Sequence, residues 1–280
     1  MNVSIAAVGS SPLIAEEIQD IAYTLFSERI PVITRQTEEI TDDRSADLYL
    51  CARTQYEHLS QIIPKERLFL MELQPDSTFF FAIARIPPGH DVHIFNNYSA
   101  YPKALAAYCR SLGMDQVNYI PLAFEETPEA DLLEILAHAS YIIGVDRFLN
   151  LLRKSPYRDV LRPEVKIIAG KRTASPRSAF AVLRSLSRLL LSELHTRWST
   201  SVQYSDAQLR MLATDADSAL DILQAGTIRT VVSQATIAEP SPVCAADTDA
   251  AIPPDQLHAY IADRIKLLEL LQSKIDTLSK

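Results

Sequence analysis

The sequence predicts an α/β protein made of two successive small doubly wound parallel-sheet units, Rossmann-like or flavodoxin-like, followed by a C-terminal helix. Three observations carry this expectation. Short β-rich apolar runs alternate with helical patterns from the first residues onward, as in a parallel sheet with crossover helices. The same rhythm restarts after Pro87-Pro88-Gly89. Near the end, Leu257, Ile261, Leu268, Leu271, Ile275 and Leu278 recur at alternating three- and four-residue spacing, with Arg264 at one seam position.

The first unit is expected over residues 1–85. It opens with a strand at 3–8, then the turn Gly9-Ser10-Ser11-Pro12, where Ser11 can cap a helix that has Pro12 at its first position. That helix carries Ile14, Ile18, Ile21, Ala22 and Leu25 on one side. A strand at 30–34, an acidic loop at 38–43, a strand at 47–52, a helix at 56–63 and a strand at 67–71 complete the unit. The second unit is expected over 86–200, with strands at 92–95, 117–122, 141–145 and 165–169 and helices at 100–112, 132–139 and 176–198. The last helix places Phe180, Leu183, Leu186, Leu190 and Leu194 on one side. Residues 201–254 read as mixed structure, with short helices at 207–213 and 216–223, a β-like run at 228–232, and a Pro-, Ala- and Asp-rich linker from 236 to 254. The helix at 255–280 reads either as a coiled-coil seam or as an amphipathic helix packed on its own domain.

Composition narrows the function. A net charge of -8 argues against a dedicated nucleic-acid surface, because phosphate binding needs clustered Lys and Arg. No apolar run approaches the roughly 18 to 20 residues of a membrane span, and no basic leader precedes the first strand, so the chain reads as cytoplasmic. Cys51, Cys109 and Cys244 are odd in number and far apart, which fits neither a disulfide framework nor a zinc site. With six glycines in 280 residues there is no Gly-x-Gly-x-x-Gly and no P-loop, and no Gly-x-Ser-x-Gly elbow occurs. No cofactor, metal site or catalytic constellation is expected.

Three turns qualify as ligand contacts. Ser10 and Ser11 follow the first strand and open a helix, a natural anion site that a simple capping turn also explains. Asn96 and Asn97 follow a strand and precede a helix, where their amides can face the cleft between the units, although Asn is also ordinary turn chemistry. The segment from Gly170 to Ser178 joins a strand end to a helix start, and its Lys171, Arg172, Thr173 and Ser175 suit a carboxylate or phosphate. Ser175 is also a good N-cap with Pro176 after it. Cys51 at a strand end is similar to the Cys-x-Thr loops of two-domain amino-acid racemases, but that chemistry needs a second facing thiol. A small buried thiol is the competing reading. His90 and His93 bracket a strand start without an evident third metal ligand.

The run Ile86-Pro87-Pro88-Gly89-x-x-Val92-x-Ile94-Phe95-Asn96-Asn97, then Leu112-Gly113-Met114-Asp115, Tyr119-Ile120-Pro121 and Ile143-Gly144-Val145, resembles the N-terminal sensory region of PAS-containing, sigma-54-dependent transcriptional activators of Firmicutes. The later Ile167-Ile168-Ala169-Gly170-x-Arg172 is similar to that region's closing strand and turn. The resemblance covers roughly residues 1 to 195. It implies an input domain that senses a ligand or state and passes a signal down a helix to an output domain. No PAS domain, P-loop activator domain or helix-turn-helix is identifiable, which points to a detached sensor, a truncated regulator or a relative serving another partner. The expected function is therefore that of a regulatory sensor. It would bind a small anionic metabolite in a cleft between the units, with the helix at 255–280 forming a homodimer or docking on an output protein. The alternatives are a racemase- or lyase-type enzyme using Cys51 and a non-catalytic assembly protein.

Overall fold

The computed structural model describes residues 3–26, 28–232 and 252–278. It is an α/β structure with two four-stranded parallel sheets. The linker expected at 236–254 lies mostly outside the described residues, as does Cys244. Among the described residues no helix is long and apolar enough to cross a membrane.

In chain order the first elements are β1 (Ile5–Gly9), α1 (Pro12–Phe26), β2 (Val32–Gln36), β3 (Leu48–Cys51), α2 (Arg53–Leu59) and β4 (Leu68–Leu70). The chain then runs through β5 (Leu73–Pro75) into α3 (Ser77–Ala84), β6 (Asp91–Asn96), α4 (Ala100–Ser111), β7 (Asn118–Ala123), α5 (Glu129–His138), β8 (Tyr141–Val145), α6 (Asp146–Leu149), α7 (Tyr157–Val160) and β9 (Lys166–Gly170). It continues through β10 (Arg172–Ala174), which pairs with β5, into α8 (Pro176–Ser199), α9 (Asp206–Val232) and α10 (Leu257–Leu278).

Two compact units result, and they are not the consecutive segments that the rhythm suggested. One comprises Met1–Leu73 with Ala174–Lys280, and the other is Gln74–Thr173. The physical reason is where α8 buries its apolar face. Phe180, Leu183, Leu186 and Leu190 join Ile18, Phe26, Leu48 and Leu50 in one core, so α8 belongs with the first sheet. At the other boundary, α3 joins the second unit, with Phe79 and Ile83 in a core with Val92, Ile94 and Ile143. Asp76 caps α3, accepting from the Phe79 N–H at 3.0 Å. The run Phe79-Phe80-Phe81 has no amphipathic period, so no element is expected there from sequence.

In the first unit the strand order is β2-β1-β3-β4, with Ile5 opposite both Val32 and Leu48. Ile5, Ala7, Leu48 and Leu50 face α1 and the C-terminal helices. Ala6, Val8, Tyr49 and Cys51 face the other side, against Leu59 and Ile63. Burial on both faces is why these strands read as continuous apolar runs.

Residues 206–232 form one helix, α9, where the sequence suggested two short helices and a β-like end. Close packing explains the difference. A Cβ on Gly226 would stand 2.6 Å from Leu183 Cδ2 and 2.9 Å from the Leu25 carbonyl oxygen, so the glycine lets α9 approach its neighbours. Thr227 and Thr230 are buried with their hydroxyls bonded to the carbonyls of Leu223 and Gly226, both at 2.7 Å. Their β-branched pattern is thereby accommodated inside a helix. The apolar stripe of α10 (Leu257, Ile261, Leu268, Ile275) enters the same core as α8 and α9. These four seam positions are thus covered within the unit, whereas Leu278 is exposed.

The second unit repeats the strand order as β7-β6-β8-β9, with Val92 opposite Tyr119 and Tyr141. Val92, Ile94, Tyr141 and Ile143 pack with Leu105, Ala106 and Cys109 of α4. Phe95 lies on the other face, stacked on Phe124 at 5.1 Å.

Candidate functional site

Both sheets have their first strand inside, with the second on one side and the third on the other. Crossover helices therefore leave in opposite directions at the carboxyl ends of β1 and β3, and again at those of β6 and β8. Such switch points are where open α/β sheets bind ligands. The sequence-selected turns fall there: Ser10 and Ser11 follow β1, and Asn96 and Asn97 lie at the end of β6. The two turns hold equivalent places in the two units.

In the first unit, Gly9 lets the start of α1 lie against the strand end, since a Cβ there would come within 2.4 Å of the Ala15 nitrogen. The Ser11 carbonyl accepts from the N–H groups of Ile14 and Ala15 at 3.2 and 3.1 Å. Thr37 donates to the Gly9 carbonyl at 3.1 Å. Across the switch point, Cys51 is fully buried, and burial pushes its thiol up to about 12. A thiol in that state stays protonated at neutral pH. Gln55, not anticipated from sequence, is buried beside it in the first turn of α2, and among the described residues its Oε1 has no hydrogen-bond partner. Arg53 is 80% exposed and lies 3.7 Å from Glu72.

In the second unit, Asn96 is only 5% exposed, and its Oδ1 has no hydrogen-bond partner among the described residues. Unmet buried polar groups are costly and need a physical reason. The Asn96 and Asn97 carbonyls accept from the N–H groups of Phe124 and Glu125 at 3.0 and 3.1 Å, so the exits of β6 and β7 are tied together. Glu126 accepts from the Ser99 N–H at 3.2 Å, placing a carboxylate at the start of α4. Arg172, which follows edge strand β9, lies over the ring of Tyr101 in the first turn of α4, 5.4 Å from its centroid. The structure thus brings Asn96, Asn97 and Arg172 to one edge of one unit. Lys171 is exposed beside them, and Thr173 continues into β10.

Ser175 falls on the first unit instead. It caps α8, accepting from the Ser178 N–H at 3.2 Å, and donates to Glu72 at 2.9 Å. A hydroxyl that already serves a cap and a carboxylate does not add to an anion site, so the capping reading describes it. Ser10 and Ser11 likewise belong to the first unit. The eight selected residues are therefore divided between the units as Ser10, Ser11 and Ser175 against Asn96, Asn97, Lys171, Arg172 and Thr173. Sequence reasoning missed Gln55, Tyr101 and Glu126. The signal available was positional: each stands within a few residues of a strand's carboxyl end or a helix start.

Among the described residues no group of three His, Cys, Asp or Glu side chains is placed to hold a metal ion. Compared with family models, curated proteins and solved structures, the chain matches none.

Proposed function

We propose that this chain is a cytoplasmic regulatory sensor, in the manner of the input regions of transcriptional regulators that its sequence resembles, and that its second unit binds a small anionic metabolite. One observation carries the reading: at the carboxyl edge of a single sheet, Arg172 lies over Tyr101 in the first turn of α4, the helix that the Asn96–Asn97 turn leads into. The guanidinium supplies charge-assisted hydrogen bonds to a carboxylate or phosphate. The start of α4 supplies backbone N–H groups and the positive end of a helix dipole. The Asn96 Oδ1, without a partner among the described residues, accepts a hydrogen bond from a donor group elsewhere on the ligand.

The route to an output is covalent. Arg172 begins β10, and three residues later Ser175 caps α8, whose apolar face shares a core with α10. A ligand that orders Arg172 acts on the strand leading into that helical layer. The partner is then an output protein or a second copy reached through the outer face of α10, where Leu267 and Leu270 are exposed, and not through the covered stripe. A thermal-shift screen of small mono-, di- and tricarboxylates and inorganic phosphate tests the reading, because a ligand that binds the folded state raises the unfolding midpoint. A binder is expected, and Arg172→Ala is expected to weaken it by about 1.5 to 3 kcal/mol. Failure of every anion in the panel to shift the midpoint overturns it.

A further inference from the structure

A second recess lies in the same unit at the opposite end of the sheet. It is an open pocket of about 530 Å³ where the start of β6 meets the last turns of α5, lined by His90, Asp91, His93, Glu134, His138 and Ser140 among others. The volume is within the range of small-molecule sites. We propose that this pocket binds a small organic cation that donates hydrogen bonds, of the primary ammonium type.

Two carboxylates and three imidazoles line the recess, and no Lys or Arg does. Asn118 donates to Asp91 Oδ1 at 2.9 Å, tying the start of β7 to that of β6. His93 is largely buried, and burial lowers its pKa against the opposing pull of the Tyr141 backbone and Asp91. Its ring is therefore neutral at physiological pH, adding no positive charge beside the carboxylates. Glu134 and His138 stand four residues apart on α5, one turn from each other on the same face.

The walls are held before any ligand arrives. His90 packs edge-on against Tyr141 at 5.1 Å. Arg162 donates to the carbonyls of His138 and Ala139 at 2.5 and 3.2 Å, pinning the end of α5. The negative end of that helix has thus already drawn one cation to its carbonyls, and Glu164 balances it at 3.9 Å. Lys166 lies over the far ring, Tyr141, rather than in the recess lining. Carboxylate oxygens and neutral imidazole nitrogens accept hydrogen bonds, so the lining suits a molecule that brings its own donors.

The test is calorimetric titration of the full chain with 1,4-diaminobutane, read in parallel by the Cε1–H NMR signals of the imidazoles. Saturable binding that moves the signals of His90, His93 and His138 is expected. Glu134→Gln should weaken it about tenfold, as for loss of one charge-assisted partner. His138→Gln should weaken it less, and Glu129→Gln, on the same helix outside the recess, should leave it unchanged. Amide spectra that overlay outside the pocket establish that each variant is folded. Absence of saturable binding up to 10 mM, roughly the weakest affinity with meaning here, overturns the proposal. So does an equal response to tetramethylammonium, which has charge but no donors, or insensitivity to Glu134→Gln. Zinc chloride binding in place of the diamine also overturns it.

Discussion

The two units share one strand order and differ in what is built on it. In the first, both sheet faces and one long helical layer are used to bury apolar surface, with α1, α8, α9 and α10 in a continuous core. Its switch point holds a buried thiol, a serine turn and an arginine that faces mostly water. In the second, shorter helices cover the sheet; at its carboxyl edge a buried amide oxygen has no partner among the described residues, and an arginine is laid on an aromatic ring. The same topology thus supports a helical platform in one case and a recognition edge in the other. Fold alone would not separate them, because function resides in the side chains at the strand ends.

The largest contrast concerns chemistry at the first switch point. If the first unit were the reactive one, Cys51 would alkylate readily at neutral pH. With its thiol held at about 12, its iodoacetamide labelling in the native chain, read peptide by peptide, should be at least about 1000-fold slower than in urea. Fast native labelling would turn the comparison around and favour the racemase-type alternative.

Next in size is the platform itself. Leu268 is fully buried in the helical core, whereas Leu270 is 62% exposed. Leu268→Ala should cost about 2 to 5 kcal/mol in chemical denaturation. Leu270→Ala should stay within about 0.5 kcal/mol. Equal effects would mean that α10 does not keep this packing in solution.

These contrasts also mark what the sequence could and could not reveal. Parallel strands buried on both faces leave a strong apolar signal, so β1, β3, β6 and β8 were legible, as was the face of α8. The grouping of elements was not, because α8 carries no mark of which sheet its leucines will cover. Nor was the continuity of α9, where Gly226 looks like a breaker until Leu183 and Leu25 are seen against it. At the site, Asn96, Asn97 and Arg172 were legible from turn chemistry. The contact of Arg172 with Tyr101 was not, since β10 and α4 are far apart in the chain. His90 and His93 were visible, but the Glu134 and His138 that face the same recess come from α5, about forty residues on.

A smaller effect sharpens the recognition edge. Glu126 places its carboxylate at the Ser99 N–H, where an anionic ligand would also be drawn. Glu126→Gln should therefore raise affinity for the ligand by roughly two- to fivefold, the scale of one exposed charge interaction. A loss of affinity would show that Glu126 shapes the site rather than competing in it.

The smallest effect lies at the other end of the second sheet. Burial lowers the His93 pKa below its ordinary 6.5, so folding favours the neutral ring. The stability this contributes is complete above the ordinary value and is lost as pH falls through the lowered one. Urea midpoints measured from pH 7.5 down to 5 should fall more steeply in the parent chain than in His93→Asn. Parallel curves would remove the buried-histidine account.

The central claim is that the recognition edge belongs to the second unit and that Arg172 anchors it. Calorimetric titration of the anion that gives the largest thermal shift, into the parent chain, Arg172→Ala and Arg53→Ala, tests this most directly. The account predicts at least about tenfold weaker binding for Arg172→Ala, from loss of a charge-assisted bond, and unchanged binding for Arg53→Ala at the equivalent edge of the first unit. Unchanged binding by Arg172→Ala together with loss in Arg53→Ala would contradict it.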